Sequence, residues 1–389
     1  MSTIEDSRML STFQRYGIKA IKGDGVYVWD DNGKKYIDFM QGFGVGILGH
    51  KNQAIIKAIY DQLNQLDICH GSLYNDARER FLEEFFRIAP KSLSRAFLSN
   101  SGAEAVELAL KLARKYTGKK GFISFTGAYH GKTFGALSVT YSEKYKEGFG
   151  PLLEPVRFLK YGDINELSSA DFSDVAGVIV EPIQGESGII IPPDDFLPFL
   201  REITEKKGIP LIIDEIQSGM GRTGNWWAHQ HWNIQPDIMT AGKGIGGGIP
   251  MGVTAVREDI ASVIKVGEHS STMGGNPIAS AAGTATIKEV EKLLDSIPAK
   301  GENFMSGLRR LNSRTVKEVR GKGLMIALDL RIKFKDVLFA QIKNGLLSLY
   351  SGLTVLRYLP PYIITQKDID DALLIIEKSL MEIDSKRFV

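Results

Sequence analysis

The sequence has 389 residues, 43% hydrophobic and 24% charged, which is typical of a globular protein with two or three cooperating domains. Its 48 basic and 46 acidic side chains leave a formal net charge of +2, which gives no overall field to attract nucleic acid or an anionic membrane. The single cysteine excludes an intrachain disulfide, no histidine has metal-ligand spacing, and neither a signal peptide nor an apolar stretch of ~18 residues is present, so we expect a metal-free cytoplasmic protein.

The first predicted elements are two strands in GVYVWDDNGKKYIDF (25–39). Asp31, Asn32 and Gly33 separate two strand-like runs, and these residue types are typical of a hairpin turn. We expect residues 1–50 to form an N-terminal segment that packs with the small C-terminal domain.

Residues 51–285 alternate short apolar runs with amphipathic ones. The apolar runs predict strands at 121–126, 175–183, 209–216 and 251–256, and the amphipathic runs predict helices at 103–116 and 195–207. This alternation indicates an α/β large domain with a mostly parallel sheet that is covered on both faces. In such sheets ligands bind beyond the carboxyl ends of the strands.

The last hundred residues differ in character and predict a smaller α+β domain at 286–389. A helix rich in small residues follows Pro277, and apolar runs at 319–330 and 346–361 precede a final amphipathic helix at 367–383.

Two residues stand where chemistry is expected, since Lys243 follows the strand-like segment DIMTA (237–241) and Asp214 ends the apolar run LIID (211–214). Lys243 lies in the glycine-rich segment TAGKGIGGGIP (240–250), and a lysine becomes a nucleophile when a desolvated site helps its amine to lose a proton. Most lysines are solvated surface charges, and the motifs of nucleotide loops are absent here. Asp214 ends the apolar strand of LIIDEIQSGMGRTG (211–224), either as a turn or capping residue or as the carboxylate that a pyridinium nitrogen requires.

A third segment, LSNSGAEAVELALKLARK (98–115), is suited to bind an anion. Ser101 and Glu104 have the spacing of a capping box, which is a sufficient structural explanation for both. A helix that begins with Ser101, Gly102 and Ala103 also presents backbone N–H groups and the positive end of its dipole to a phosphate.

Nine ordered blocks carry a resemblance that covers nearly the whole chain. They are GVYVWDDNGKKYIDF, NSGAEA, FTGAYHGKT, EPIQGESG, IIDEIQSGMGRTG, TAGKGIGGG, TMGGNP, VRGKGLMI and LRYLPP. In order and spacing the chain resembles the class III aminotransferases of fold type I, in particular the acetylornithine aminotransferase branch. The resemblance implies an enzyme that uses pyridoxal 5′-phosphate, with a large domain and a smaller α+β domain.

The family pattern assigns roles around the cofactor residue by residue. Lys243 matches the lysine that binds the cofactor covalently and moves protons, Asp214 the partner of the pyridine nitrogen, and Gln217 the residue near the phenolic oxygen. Tyr129 stands where the family stacks an aromatic ring on the pyridine ring, although a core tyrosine is the alternative.

The family pattern also implies a homodimer with shared active sites. Ser101, Gly102 and Ala103 match the phosphate loop of the family. Thr272, in STMGGNP, matches a phosphate ligand that the family donates from the partner subunit, so that one site requires two chains.

Substrate recognition is implied at three charged positions, which are Arg357, Glu186 and Lys132. Arg357 resembles the arginine that forks onto a substrate carboxylate, with a domain-interface arginine as the alternative. Glu186 resembles the glutamate that pairs with this arginine while an ω-amino substrate is bound and swings away for glutamate. Phe43 to Val45 and Tyr74 are expected to line the pocket.

Two departures from the family pattern affect these expectations. Where the family has HGRT this chain has His130-Gly131-Lys132-Thr133, and Lys132 keeps the charge of the arginine that holds the α-carboxylate of acetylornithine but loses its fork. The family's GHxHP is replaced by Gly49-His50-Lys51-Asn52-Gln53, which we expect to affect only the start of a helix.

The resemblance implies transamination between glutamate and the ω-position of an N-protected amino acid in arginine or lysine biosynthesis. The protecting group is an acetyl or a small acidic carrier protein of the LysW type, and Lys132 keeps the carrier alternative open. Alternatives are an ω-aminotransferase of free ornithine or 4-aminobutyrate, a glutamate 1-semialdehyde aminomutase, which the pairing of Arg357 with Glu186 disfavours, and a nucleotide-binding regulator.

Overall fold

The computed structural model describes residues 3–387 and contains fifteen strands in that range. In chain order they are β1 (Ala20–Asp24), β2 (Tyr27–Asp30), β3 (Lys35–Asp38), β4 (Arg95–Ser99), β5 (Gly121–Phe125), β6 (Val156–Leu159), β7 (Val175–Val180), β8 (Leu211–Asp214), β9 (Ile238–Ala241), β10 (Gly252–Val256), β11 (Val316–Lys322), β12 (Met325–Leu330), β13 (Leu346–Leu347), β14 (Leu349–Ser351) and β15 (Val355–Tyr358).

The same range contains fourteen α-helices and three short 3₁₀ helices, the latter at Ala228–Trp232, Lys243–Gly246 and Leu294–Ser296. The α-helices are α1 (Ile4–Arg8), α2 (Gln41–Gly44), α3 (Gln53–Leu63), α4 (Asp76–Ile88), α5 (Gly102–Thr117), α6 (Phe134–Val139), α7 (Glu143–Lys146), α8 (Ile164–Ser169), α9 (Phe196–Lys206), α10 (Glu258–Ala261), α11 (Pro277–Glu291), α12 (Ile297–Arg310), α13 (Phe334–Asn344) and α14 (Gln366–Arg387).

A seven-stranded sheet forms the centre of the large domain, in the order β4-β10-β9-β8-β7-β5-β6. Only β10 runs antiparallel to its two neighbours, so the predicted mostly parallel sheet is confirmed. Strands β5, β7, β8, β9 and β10 are buried at every position, which explains why they appear in the sequence as continuous apolar runs.

The carboxyl edge of this sheet collects the residues that follow β7, β8 and β9. These three strands are neighbours and parallel, so their ends lie side by side. Glu181 follows β7, Asp214 ends β8, and Lys243 stands two residues after β9. We therefore expect the functional site at this edge of the sheet.

The N-terminal segment forms a second sheet, in the order β1-β2-β3-β13. The predicted hairpin joins β2 and β3, and β3 then pairs in parallel with β13 of the C-terminal region. Asn52 accepts hydrogen bonds from the N–H groups of Ala54 and Ile55, and so caps the start of α3 where the family motif is altered. The domain borders at residues 50 and 285 stay predictions.

A third sheet, β11-β12-β15-β14, lies in the C-terminal region with α12 packed against β11 and β12. Strand β15 is buried at all four positions and carries Arg357, so this sheet delivers a charged side chain into the interior. Between residues 3 and 387, no helix is long and apolar enough to cross a membrane.

The contact between the N-terminal and C-terminal regions generates a stability prediction. Phe39 is fully buried and its ring packs edge-on against that of Phe304, 5.4 Å between centroids. We expect Phe39→Ala to lower the free energy of unfolding by about 3–5 kcal/mol, because the lost ring leaves a cavity between two regions. Ile21→Ala, in the same sheet but 64% exposed, is the control and should change it by less than about 0.5 kcal/mol. Urea unfolding checks both, and equal effects would contradict the prediction.

Candidate active site

Lys243 is held at the edge of the sheet by an uncommon backbone conformation. Its φ of 46° lies in the left-handed region, and it opens the 3₁₀ helix that follows Gly242. Burial lowers the pKa of Lys243, an effect that nearby Arg357 increases and that Glu186 and Asp214 oppose. The amine is therefore closer to its neutral, nucleophilic form than that of a surface lysine.

Three of the predicted segments approach each other closely at glycines. A Cβ atom at Gly102 would lie 2.7 Å from Cδ1 of Ile216, and one at Gly242 would lie 3.3 Å from the Cα atom of Gly102. The start of α5 and the Lys243 loop therefore approach each other through their backbones, and the Ile216 side chain from the turn after Asp214 packs against both glycines.

The start of α5 has the expected cap in a modified form. The Ser101 hydroxyl accepts a hydrogen bond from the N–H of Glu104 at 3.2 Å. The Glu104 carboxylate reaches back to the N–H of Asn100 at 2.6 Å instead of that of Ser101, so the reciprocal half of the predicted capping box is displaced by one residue. The N–H groups in the first turn of a helix have no acceptor within the helix, and Gly102 and Ala103 supply two of them.

Asp214 is 4% exposed and its carboxylate is held at both oxygens. Oδ2 lies 2.7 Å from Nδ1 of His130, and Oδ1 accepts a hydrogen bond from the N–H of Ile216 at 3.0 Å. We assigned no role to His130 from the sequence, although it lies in the FTGAYHGKT block beside Tyr129. The pair fixes the direction of a buried carboxylate.

Glu181 is a second residue of the cluster that no sequence motif predicts. Its two oxygens accept hydrogen bonds from the N–H groups of Tyr129 and Gly185. Burial raises its pKa to about 7, a shift that Asp214 increases and His130 opposes. Its position directly after an apolar strand, like that of Asp214, was the available signal.

Arg357 and Glu186 form a bidentate ion pair. The Nη1–Oε1 distance is 2.9 Å and the Nη2–Oε2 distance is 3.0 Å, and the arginine side chain is fully buried. Burial would raise the pKa of Glu186, but Arg357 and Lys243 hold that pKa below its ordinary value. Arg357 also donates to the carbonyl of Gly185 at 2.9 Å and lies 3.4 Å from Oε1 of Gln217. The predicted arginine, glutamate and glutamine therefore lie together.

The backbone that carries Glu186 is fixed from the C-terminal region. The Ser351 hydroxyl donates to the carbonyl of Glu186, and Arg320 donates to the carbonyls of Gly188 and Ile189. The side chain of Glu186 is thus attached to a clamped backbone, and any switch of its carboxylate is a side-chain rotation.

Lys132 is exposed and its ammonium lies against aromatic rings. Nζ is 4.8 Å from the ring centroid of Tyr145 and 5.9 Å from that of Tyr129, and the two rings pack edge-on at 5.8 Å. Burial raises the pKa of Tyr129 to about 12, with Glu186 adding to the effect, so its hydroxyl stays protonated. Lys132 thus lies on the exposed side of the pair formed by Tyr145 and Tyr129, both of which interact with Glu186, and this exposed side is the mouth of the site.

Other predicted residues lie outside the buried cluster of their own chain. Thr272 is exposed, in a loop whose neighbour Ser271 accepts a hydrogen bond from the Asn100 side chain at 3.1 Å. Tyr74 is 96% exposed and Phe43 41% exposed. The structure places these side chains on the surface of a single chain.

The clustered residues fit pyridoxal 5′-phosphate, whose parts need different partners. The first turn of α5 offers backbone N–H groups to a phosphate, and Ile216 leaves room only for glycine at that point. Asp214 offers a directed carboxylate to a ring nitrogen, and the amine of Lys243 shares its surroundings with Asp214 and Glu186. This donor set matches a phosphorylated, nitrogen-containing aldehyde.

Known proteins with similar sequences are aminotransferases. A [LysW]-aminoadipate semialdehyde/glutamate semialdehyde transaminase of Sulfolobus acidocaldarius is 44% identical over 383 residues, which cover 97% of this chain and 99% of that protein. An acetylornithine aminotransferase of Methanopyrus kandleri is 40% identical over 372 residues, 95% of each chain.

A solved structure with the same fold contains the expected cofactor. An ornithine aminotransferase of Toxoplasma gondii with partial occupancy of pyridoxal phosphate at its active site matches with a TM-score of 0.94 and 32% identity, over 99% of this chain and 95% of that one. The family model of class III aminotransferases matches residues 12–380. The chain therefore belongs to the class III aminotransferases and is an enzyme that depends on pyridoxal 5′-phosphate.

Proposed function

We propose that this enzyme transfers an amino group between glutamate and the ω-position of an amino acid whose α-amine is masked by an acetyl group or a carrier protein. The observation that carries the proposal is the bidentate pair between buried Arg357 and Glu186 in the same cluster as Lys243. The two relatives named above support it, since one name specifies a LysW-linked semialdehyde and the other acetylornithine.

The ion pair explains how one pocket serves two different substrates. A buried guanidinium cannot lose its proton and requires an anionic partner. With an ω-amino substrate, which presents no carboxylate at this point, Glu186 supplies the partner. With glutamate, the substrate carboxylate replaces Glu186, whose side chain rotates on its clamped backbone.

The remaining residues orient the cofactor and move a proton. Bound pyridoxal 5′-phosphate supplies an electron sink for charge developed at the carbon that carries the amino group. Asp214, oriented by His130, would hold a proton on the ring nitrogen of the cofactor, and the first turn of α5 would bind its phosphate. The Nζ atom of Lys243 takes and returns the proton of the substrate carbon, for which a lowered pKa is suited. Gln217 lies beside the pair and is proposed to contact the phenolic oxygen.

We further propose a homodimer in which Thr272 of each chain completes the site of the other. Thr272 is exposed within its own chain. Apolar side chains of α3 and the following loop are exposed as well: Ile56, Tyr60, Leu63, Ile68, Leu73 and Tyr74. A face of this kind is typical of an interface. The measurement of mass by light scattering at several concentrations tests the dimer.

Lys243→Ala should retain the cofactor through its phosphate and ring contacts but lose turnover. Loss of proton transfer alone lowers rates by about 100- to 10,000-fold. Borohydride reduction of the parent followed by peptide mapping checks the covalent attachment. A label on a lysine other than Lys243 would refute the assignment.

Glu186→Ala should slow the ω-amino half-reaction more than the glutamate half-reaction, and the two effects should differ by a factor of at least about ten, equivalent to ~1.4 kcal/mol. The reason is that only the ω-amino half-reaction needs Glu186 to neutralise Arg357. Single-turnover measurements of the two half-reactions check this. Glu258→Ala, which removes an exposed carboxylate paired with Arg95, is the control and should change neither. Equal losses in both half-reactions would argue against the switch.

Lys132 provides the test of the masked substrate. A lysine binds a small free carboxylate less rigidly than an arginine fork does, so we expect a higher kcat/KM for carrier-linked lysine or ornithine than for acetylornithine. Lys132→Arg should improve acetylornithine relative to the tethered substrate by about 5- to 30-fold, the equivalent of ~1–2 kcal/mol. The nearby exposed Lys144→Arg is the control. The proposal of a carrier-linked substrate is contradicted if the parent enzyme prefers acetylornithine, or if Lys132→Arg leaves the ratio of the two kcat/KM values unchanged. Activity on free ornithine alone would reject a masked substrate altogether.

A further inference from the structure

The carboxylate of Glu181 joins the two loops that carry the proposed substrate and cofactor contacts. The N–H of Tyr129 donates to Oε1 at 2.9 Å, and the N–H of Gly185 donates to Oε2 at 3.0 Å. Glu181 is 7% exposed, and the Tyr161 hydroxyl fixes its backbone by donating to its carbonyl at 2.9 Å. The Glu181 side chain thus sets the distance between the backbone at Gly185, which directly precedes Glu186, and the backbone at Tyr129.

The other links between these loops are made by neutral groups and lie nearer the start of the Tyr129 loop. The Gln184 amide donates to the carbonyl of Thr126 at 2.9 Å, and the Ser187 hydroxyl donates to the carbonyl of Gly127. Neither reaches Tyr129 itself. The position of Tyr129 relative to Glu186 therefore depends on the carboxylate of Glu181.

We propose that Glu181 is a positioning residue whose ionised carboxylate sets Tyr129 and Glu186 at their working distance. An ionised carboxylate accepts at both oxygens, whereas the protonated form places an O–H donor against one of the two N–H groups. The inference rests on the stacking role that the family pattern implies for Tyr129 and on the role proposed above for Glu186.

Burial, more than the charges around it, brings the pKa of Glu181 into the neutral range. Asp214 at the end of the neighbouring strand opposes the negative charge and His130 favours it, while Lys243, Tyr129 and Tyr161 are the other titratable groups that interact with it. Burial is the largest cause and raises the pKa of Glu181 from 4.5 to about 7. Its ionisation therefore opposes folding: stability that is present below pH 4.5 is lost as the pH rises through about 7.

Glu181→Gln tests this inference because a glutamine resembles the protonated acid at every pH. In the cofactor-free protein, the urea midpoint of the variant should rise relative to that of the parent between pH 5 and pH 8. Asp30→Asn is the matched control, since Asp30 is also a buried acceptor of backbone N–H groups but lies in the N-terminal sheet and its pKa is lowered. Its midpoint difference from the parent should stay constant over this range.

The loaded enzyme gives the second readout. Both half-reactions of the parent should slow as the pH falls through about 7, and Glu181→Gln should be about tenfold slower at pH 8 and lack this step. Glu181→Asp keeps the charge and should keep the pH-dependent change in rate. If the glutamine variant does not fold, the rates of the aspartate variant test the inference. A constant midpoint difference for Glu181→Gln, or an unaltered pH step, overturns the inference. A parent without a glutamate half-reaction rejects the proposed function instead, and the cofactor-free measurement still tests Glu181.

Discussion

The site depends on one constraint, which is that the buried charge of Arg357 needs an anionic partner at every stage. Arg357 is fully buried in a strand of the C-terminal sheet, so water does not stabilise its charge. Leaving such a charge unpaired costs several kcal/mol, more than most single contacts return. In the proposed function, Glu186 and a substrate carboxylate are therefore alternatives for one position, which requires that Glu186 stays available while its loop stays in place. The contacts of Ser351, Arg320 and Glu181 with the backbone of this loop meet that need.

The second feature of the site is the group of two carboxylates and one amine at the carboxyl edge of the large sheet. This group follows from the order of the strands. Because β7, β8 and β9 are adjacent and parallel, Glu181, Asp214 and Lys243 emerge at the same edge of the sheet. Burial there disfavours every charge, which lowers the pKa of Lys243 and raises that of Glu181. His130 pairs with Asp214, whereas the Glu181 carboxylate accepts hydrogen bonds from two backbone N–H groups. Carboxylates at neighbouring strand ends thus have different partners.

Much of the fold and the central residues could be predicted from the sequence because their signals are local. Lys243 and Asp214 stand directly after apolar runs, and the helix that begins at Gly102 has a cap and an apolar stripe. The roles of His130 and Glu181 were missed because they depend on contacts between distant positions: 84 residues separate His130 from Asp214, and 52 separate Tyr129 from Glu181. The displaced contact of Glu104 depends on a backbone geometry that no spacing rule specifies.

The positions of Arg357 and Lys132 place different demands on the geometry of their charges. Arg357 lies in the interior, where a change in the geometry of a charge leaves hydrogen bonds unmade at high cost. Lys132 is exposed at the mouth, where water screens its charge and the Tyr145 ring supports it at 4.8 Å. A change from a forked to a compact cation should therefore have little effect on folding at this position. In the proposed function, Lys132 recognises the masked substrate at the mouth of the site, whereas the exchange of amino groups takes place in its interior.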